Sequence, residues 1–166
     1  MDELKPITRE AVPAALLKAE RYRLIGDPWS AESICLDVLE VEPDNQTALV
    51  TLLLALTDEM TETPAESESR AREVLPRLAD PYKRAYYAGI VCERRAKAQL
   101  KRDPPGAGAV AYALLREAMG WYERAEAIRP PKNDETLLRW NACVRLLRRR
   151  EQLKPRGDEE SEPGLE

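Results

Sequence analysis

The 166-residue chain contains no histidine and no phenylalanine, only three cysteines, and no long apolar run. Without histidine it lacks the commonest catalytic base, the usual nucleophile triads and most zinc geometries. Val, Ile and Thr are sparse beside Ala, Leu, Glu and Arg, and with phenylalanine missing this bias favours helix over sheet. A membrane-spanning helix needs roughly 18–20 apolar residues. The longest apolar run, ALVTLLLALT at 48–57, is about half that and reads as a buried helix. The opening MDELKPITRE lacks the basic-then-apolar pattern of a secretory signal, so a cytoplasmic protein is expected.

Cys35, Cys92 and Cys143 are far apart, and each sits among apolar residues at helical spacing. They read as reduced structural thiols rather than as disulfide partners or metal ligands. The one glycine cluster, GAGAV at 106–110, lacks the Lys-Ser/Thr of a phosphate-binding loop and reads as a turn. ESES at 66–69 falls at a helix start, where carboxylates complement the helix dipole. The expectation is a chain with no catalytic residues, no metal and no cofactor.

Net charge is −4, but it is distributed unevenly. Residues 1–80 carry 8 Lys/Arg against 17 Asp/Glu, residues 81–157 carry 18 against 8, and the final DEESEPGLE carries five acids and no base. The result is an acidic half, a basic half and an acidic tail.

Helix punctuation is frequent. Apolar-periodic runs extend from Pro13 to Ile25, Ser30 to Val41, 46 to about 60, about 65 to Leu78, Pro81 to about Arg102, 109–128 and 133–153. Gly26-Asp27-Pro28, EPDN at 42–45, TETP at 61–64, Asp80-Pro81, DPPGAG at 103–108 and Pro130-Pro131 separate them. Pro76 is expected to bend or shorten the end of the fourth helix. Seven helices with short connectors imply antiparallel neighbours.

Two segments repeat a pattern. AESICLDVLEVEP at 31–43 and AMGWYERAEAIRP at 118–130 align as Ala31/Ala118, Ile34/Trp121, Cys35/Tyr122, Val38/Ala125, Val41/Ile128 and Pro43/Pro130. A small residue lets two helix backbones approach at a crossing, a larger one fills the space a turn later, and proline ends the helix. The pattern resembles the second helix of a tetratricopeptide repeat (TPR), a 34-residue helix–turn–helix unit.

Carried along the chain, the resemblance places a first unit from Val12, with Ala15, Ala19, Tyr22, Gly26, Ala31, Cys35, Val38 and Pro43. A second starts at Gln46, with Leu49, Leu52, Leu53, Leu56, Ser67, Ala71 and Val74, and has Ala79 where the family has proline. A third starts at Tyr82, with Ala85, Gly89, Cys92, Ala118, Tyr122, Ala125 and Pro130, and accommodates a 17-residue insertion between its helices. The implied fold is all-α, a right-handed solenoid of helical hairpins with about seven helices. It comprises an N-terminal segment 1–11, an array over 12–153 with elongated helices around 95–117 that project past it, and a disordered acidic tail 154–166. The segment from Asn133 caps the array.

By the same resemblance, the first helix of each unit lines a concave groove that holds a partner's peptide or helix. The groove-facing positions are Leu16, Glu20 and Arg23, then Val50, Leu54 and Thr57, then Tyr86, Ile90 and Glu93. The Lys and Asn with which some family members clamp C-terminal carboxylates are absent, since Leu16, Glu20, Leu54, Tyr86 and Ile90 stand there. The implied function is a non-catalytic scaffold or adaptor whose mainly apolar groove takes an amphipathic helix. Two other uses of these features stay open. Leu16, Val50, Leu54 and Ile90 could instead pack against the chain's own termini. The basic residues Arg94, Arg95, Lys97, Lys101 and Arg102, with Arg145, Arg148, Arg149, Arg150 and Lys154, could bind nucleic acid, although no aromatic interleaves them. Pairing of acidic and basic regions would give at most weak, salt-sensitive self-association.

Overall fold

The computed structural model describes residues 1–157. Among these are seven α-helices and no strand: α1 (Val12–Leu24), α2 (Pro28–Val41), α3 (Gln46–Asp58), α4 (Pro64–Val74), α5 (Pro81–Arg102), α6 (Ala107–Ala127) and α7 (Glu135–Arg149). The tail expected over 154–166 lies outside the described residues from Asp158 onward, while residues 154–157 form neither helix nor strand.

Local chemistry sets the boundaries. Proline occupies the first turn of α1, α2, α4 and α5, where its missing N–H has no helical acceptor to lose. Asp27 accepts hydrogen bonds from the Ser30 amide at 3.1 Å and its hydroxyl at 2.7 Å, so α2 starts at Pro28, two residues before the expected Ser30. Asn45 caps α3 through the Ala48 amide, and Asp80 caps α5 through the Tyr82 amide. Gly26 turns the chain out of α1 at φ 81°, a left-handed conformation that costs glycine little. Helix α4 stops at Val74 and tightens into a 3-10 turn, Leu75–Arg77, around Pro76. Helix α7 ends at Arg149, earlier than expected, although Leu153 beyond it is buried.

Consecutive helices pack along the whole chain, and α3 additionally meets both α1 and α5. Helix α3 is central, with Leu49, Leu52, Leu53 and Leu56 all buried. Two main cores flank α5. The first joins residues of α1–α4 to Val91 and Ala98 of α5, and the second joins Cys92 and Ala96 of α5 to Leu115, Met119 and Tyr122 of α6 and Cys143 of α7.

The small residues singled out by the repeat, Ala31, Ala71 and Ala118, are fully buried. The two repeated segments also share a burial pattern. Cys35/Tyr122 and Val38/Ala125 are buried and Ile34/Trp121 half-buried, and the match fails towards the end, where Leu39 is buried but Glu126 exposed and Val41 is half-buried but Ile128 exposed. Helices α5 and α6 approach so closely at Gly89 that a methyl group there would lie 2.4 Å from a Tyr122 ring carbon.

These two helices are the longest, at 22 and 21 residues. Their extension does not project freely. Ala96, Ala111 and Leu115 are buried there, and α7 side chains and Leu153 complete the same core. No helix among the described residues is long and apolar enough to cross a membrane.

Candidate functional site: a charged cleft at the end of the central helix

Helix α3 ends at Asp58, level with Arg94 of α5, whose Nη1 donates to Asp58 Oδ1 at 3.1 Å. Beyond this point α5 continues for eight residues, about 12 Å at 1.5 Å per residue. The loop after α3 is drawn against this overhang, since Arg102 Nη1 donates to the Thr61 carbonyl at 2.8 Å. The space left is an open cleft of about 830 Å³. Arg23, Gly26, Pro28 and Trp29 of the α1–α2 corner form one wall, Thr57–Thr63 the floor, and Arg94, Lys97, Ala98 and Lys101 the other wall, with Arg139 of α7 beyond them.

Two carboxylates organise the cations. Asp58 Oδ2 accepts from Arg23 Nε at 2.9 Å while Oδ1 accepts from Arg94, so two guanidinium groups share one negative charge. Glu93, only 1% exposed, accepts from Lys97 Nζ at 2.7 Å, the Tyr122 hydroxyl at 2.6 Å and Arg139 Nε at 3.0 Å, with Arg139 Nη2 on its other oxygen. Burial works against the Glu93 charge, but these hydrogen bonds outweigh it and hold the carboxyl below its ordinary value. Burial and the adjacent carboxylate push the Tyr122 phenol up, so it stays a donor. Each carboxylate is thus bracketed by two cations; Arg23 also lies 3.6 Å from Glu20, so the Asp58 group is balanced and the Glu93 group keeps one surplus positive charge. Lys101 adds a second, because it is exposed and makes no ion pair among the described residues.

The floor carries two acids of its own, Glu59 and Glu62. Burial and the carboxylate of Glu32 push Glu59 up to about 7. Glu59 Oε1 is buried without a partner, and the neighbouring Arg70 donates to Glu32 instead. Near neutral pH Glu59 therefore offsets the cations less than an ordinary carboxylate would. At the rim, Trp29 is 71% exposed and offers an indole face to whatever enters.

Of the nine groove positions, the structure brings Arg23 and Thr57 to the cleft lining. Glu20 is exposed 3.6 Å from Arg23. Leu16, Val50 and Leu54 are half-buried against the first core, and Leu54 and Tyr86 against the second. Ile90 and Glu93 are buried. Ile90 belongs to the second core, and Glu93 is covered by Tyr122 of α6 and Arg139 of α7, so neither is open to a ligand. The open site is consequently charged, where a mainly apolar groove was expected.

Trp29, Asp58 and Arg139 belong to the site without having been singled out in the sequence. A lone arginine between the apolar Leu137-Leu138 and Trp140 is the only signal any of them leaves. The basic run on α5 is divided. Arg94, Lys97 and Lys101 face the cleft, whereas Arg95 turns to Glu68 at 2.9 Å and Arg102 to the loop carbonyls. Arg145 and Arg148 lie apart, beside Trp140 in a shallow hollow on α7.

All three cysteines are buried, and burial pushes each thiol up to about 12, so none is a thiolate at neutral pH. No family model matches the chain, nor does any curated protein or solved structure.

Proposed function

We propose that the chain is a non-catalytic protein–protein interaction module, a TPR-like solenoid of helical hairpins that takes a peptide or helix of a partner protein in the cleft between α1, α3 and α5. The observation that carries this reading is the convergence of alternate helices on one open, cation-rich cleft with an exposed tryptophan at its rim. Aromatic and arginine side chains are the residues that most often anchor partners. The shared burial pattern of the repeated segments supports the TPR-like register. The basic α5 wall, with Lys101 exposed, and the indole opposite suit a partner segment that combines a carboxylate with an apolar side chain.

The test is co-purification from the native host using the intact chain, Trp29→Ala, and a control substitution at an exposed position outside the cleft lining, Glu73→Ala. Trp29 is exposed, so its truncation leaves the fold intact, and it should release proteins that the control retains. Recovery of the same proteins by all three would reject the cleft as the docking site. Nucleic-acid binding fits the site less well, because the cleft lining holds a single aromatic, Trp29, and no run of rings on which successive bases could stack. It requires a steep loss of duplex or single-strand binding with salt.

A further inference from the structure

We infer that Glu32 and Glu59 share a single proton, and that its loss turns the Glu59 carboxylate into the cleft and shifts the floor at 59–63. This rests on reading the cleft as a binding site, and it names how that site is regulated.

Three observations carry the inference. The first is a charge mismatch. Glu32 of α2 is 7% exposed, and Arg70 of α4 donates to it. Glu59, the residue after α3, lies within hydrogen-bond reach of Glu32, and its Oε1 is buried without a partner. Among the described residues Arg70 is the one cation paired with either carboxylate. Two ionised carboxylates are acceptors only, so they repel and cannot bond to each other. A protonated Glu59 supplies the missing O–H donor, and Arg70 then has a single charge to balance.

The second is what surrounds the pair. Asp58 is already held by Arg23 of α1 and Arg94 of α5, so both guanidinium groups are engaged before they reach Glu59. Glu66 of α4 lies near Arg70, and Glu62 stands in the same turn as Glu59, so the nearby acids add no relief. Glu59 also sits at the carbonyl end of α3, where the helix dipole disfavours negative charge. Burial and the Glu32 carboxylate accordingly bring its ionisation to about 7.

The third is a mechanical link. The Glu59 carbonyl accepts from the Glu62 and Thr63 amides at 3.0 and 3.1 Å, so the residue that meets Glu32 also closes the floor turn. Glu59 lines the cleft as well, with Glu32 on one side of its carboxyl and open space on the other. Once the proton leaves, the carboxylate gains water by turning to the cleft, and the floor turn follows it. The charge of the cleft changes in step. Arg23, Arg94, Lys97, Lys101 and Arg139 stand against Glu20, Asp58, Glu59, Glu62 and Glu93, so the groups balance when all are ionised. With Glu59 neutral, one positive charge is uncompensated. The cleft therefore holds a partner's carboxylate more tightly below neutral pH than above it.

The experiment follows the glutamate carboxyl carbons and the backbone amides of the full chain by NMR between about pH 4 and 9, from the ordinary carboxylate range to beyond neutrality. The expected result is one transition near neutral pH, seen at the Glu32 and Glu59 carboxyls together and at the Thr61, Glu62 and Thr63 amides. Glu59→Gln replaces the protonated carboxyl by an amide that still donates to Glu32, so its floor amides should keep their low-pH positions across neutral pH. In Glu32→Gln the Glu59 transition should move towards lower pH, since the facing charge is gone and Arg70 is released.

A Glu59 carboxyl that titrates in the ordinary carboxylate range overturns the proposal. So does a neutral transition that leaves the floor amides still, or one unmoved by Glu32→Gln. Because the measurement involves no partner, its failure leaves the co-purification result standing. Conversely, a proton-linked floor together with partner recovery that is indifferent to Trp29→Ala would remove the proposed function alone.

Discussion

Gly89→Ala should destabilise the protein, although helix propensity alone predicts the opposite. Alanine is worth about 1 kcal/mol more than glycine inside a helix. Against this, the new methyl group would lie 2.4, 2.7 and 2.9 Å from three carbons of the Tyr122 ring. Carbon atoms pack at about 3.5–4.0 Å, so the ring or the helix must move by about 1 Å. The ring is buried, and its hydroxyl donates to Glu93 at 2.6 Å, a bond that a 1 Å retreat would break. Overpacking costs about 1–3 kcal/mol, and a hydrogen bond to a charged group contributes about 1.5–3 kcal/mol. The two losses overlap, since moving the ring relieves one while incurring the other.

Less the propensity gain, a net loss of about 1–3 kcal/mol remains, which is about 3–10 °C in melting temperature for a chain of this size. Gly120 provides the control. It also lies inside a helix of this pair, but a methyl group there meets nothing within 4 Å, so Gly120→Ala should gain about 0.5–1 kcal/mol. Thermal melts followed by circular dichroism read both. A rise in both melting temperatures would refute the close α5–α6 crossing.

Ala31→Leu and Ala118→Leu each place a large side chain at a fully buried helix contact and should each cost about 1–3 kcal/mol in denaturant titrations. Glu93→Gln leaves Lys97 and Arg139 without their carboxylate and should cost about 3 kcal/mol, near the lower end for breaking a buried pair. Because the folded Glu93 carboxyl lies below its ordinary 4.5, the wild-type chain gains stability from it above that pH and loses it as the pH falls through the folded value, and the Gln variant should lack this acid-limb loss. Glu59 has the opposite sign. Its value rises from 4.5 to about 7 on folding, so stability falls as pH rises between the two, and Glu59→Gln should flatten that slope and melt higher than wild type at pH 8. Melts across the pH range check both.

The helices were legible because their punctuation is local. Pro28, Pro64 and Pro81, with Asp27, Asn45 and Asp80, act within one turn of where they stand. The alanines at 31, 71 and 118 were legible because a helix contact demands a small side chain wherever the spacing puts one inward. The cleft was not legible for the converse reason. Periodicity says which face of a helix turns inward but not which distant charge will meet it. Arg139 and Glu93 are 46 positions apart, and Arg23 and Asp58 are 35 apart. Glu93 itself looked like a groove residue by family register, and the side chains of Tyr122 and Arg139, 29 and 46 positions away, make it an interior anchor.

The three buried thiols have a practical consequence. A thiol whose ionisation lies near pH 12 and which has no exposed surface cannot be alkylated until the helices around it part, so its modification rate under native conditions reports that opening. Cys35 belongs to the core on one side of α5, and Cys92 and Cys143 to the core on the other. The protein therefore carries an intrinsic timer for each half, and matching or diverging rates would tell whether the two halves breathe as one unit or separately.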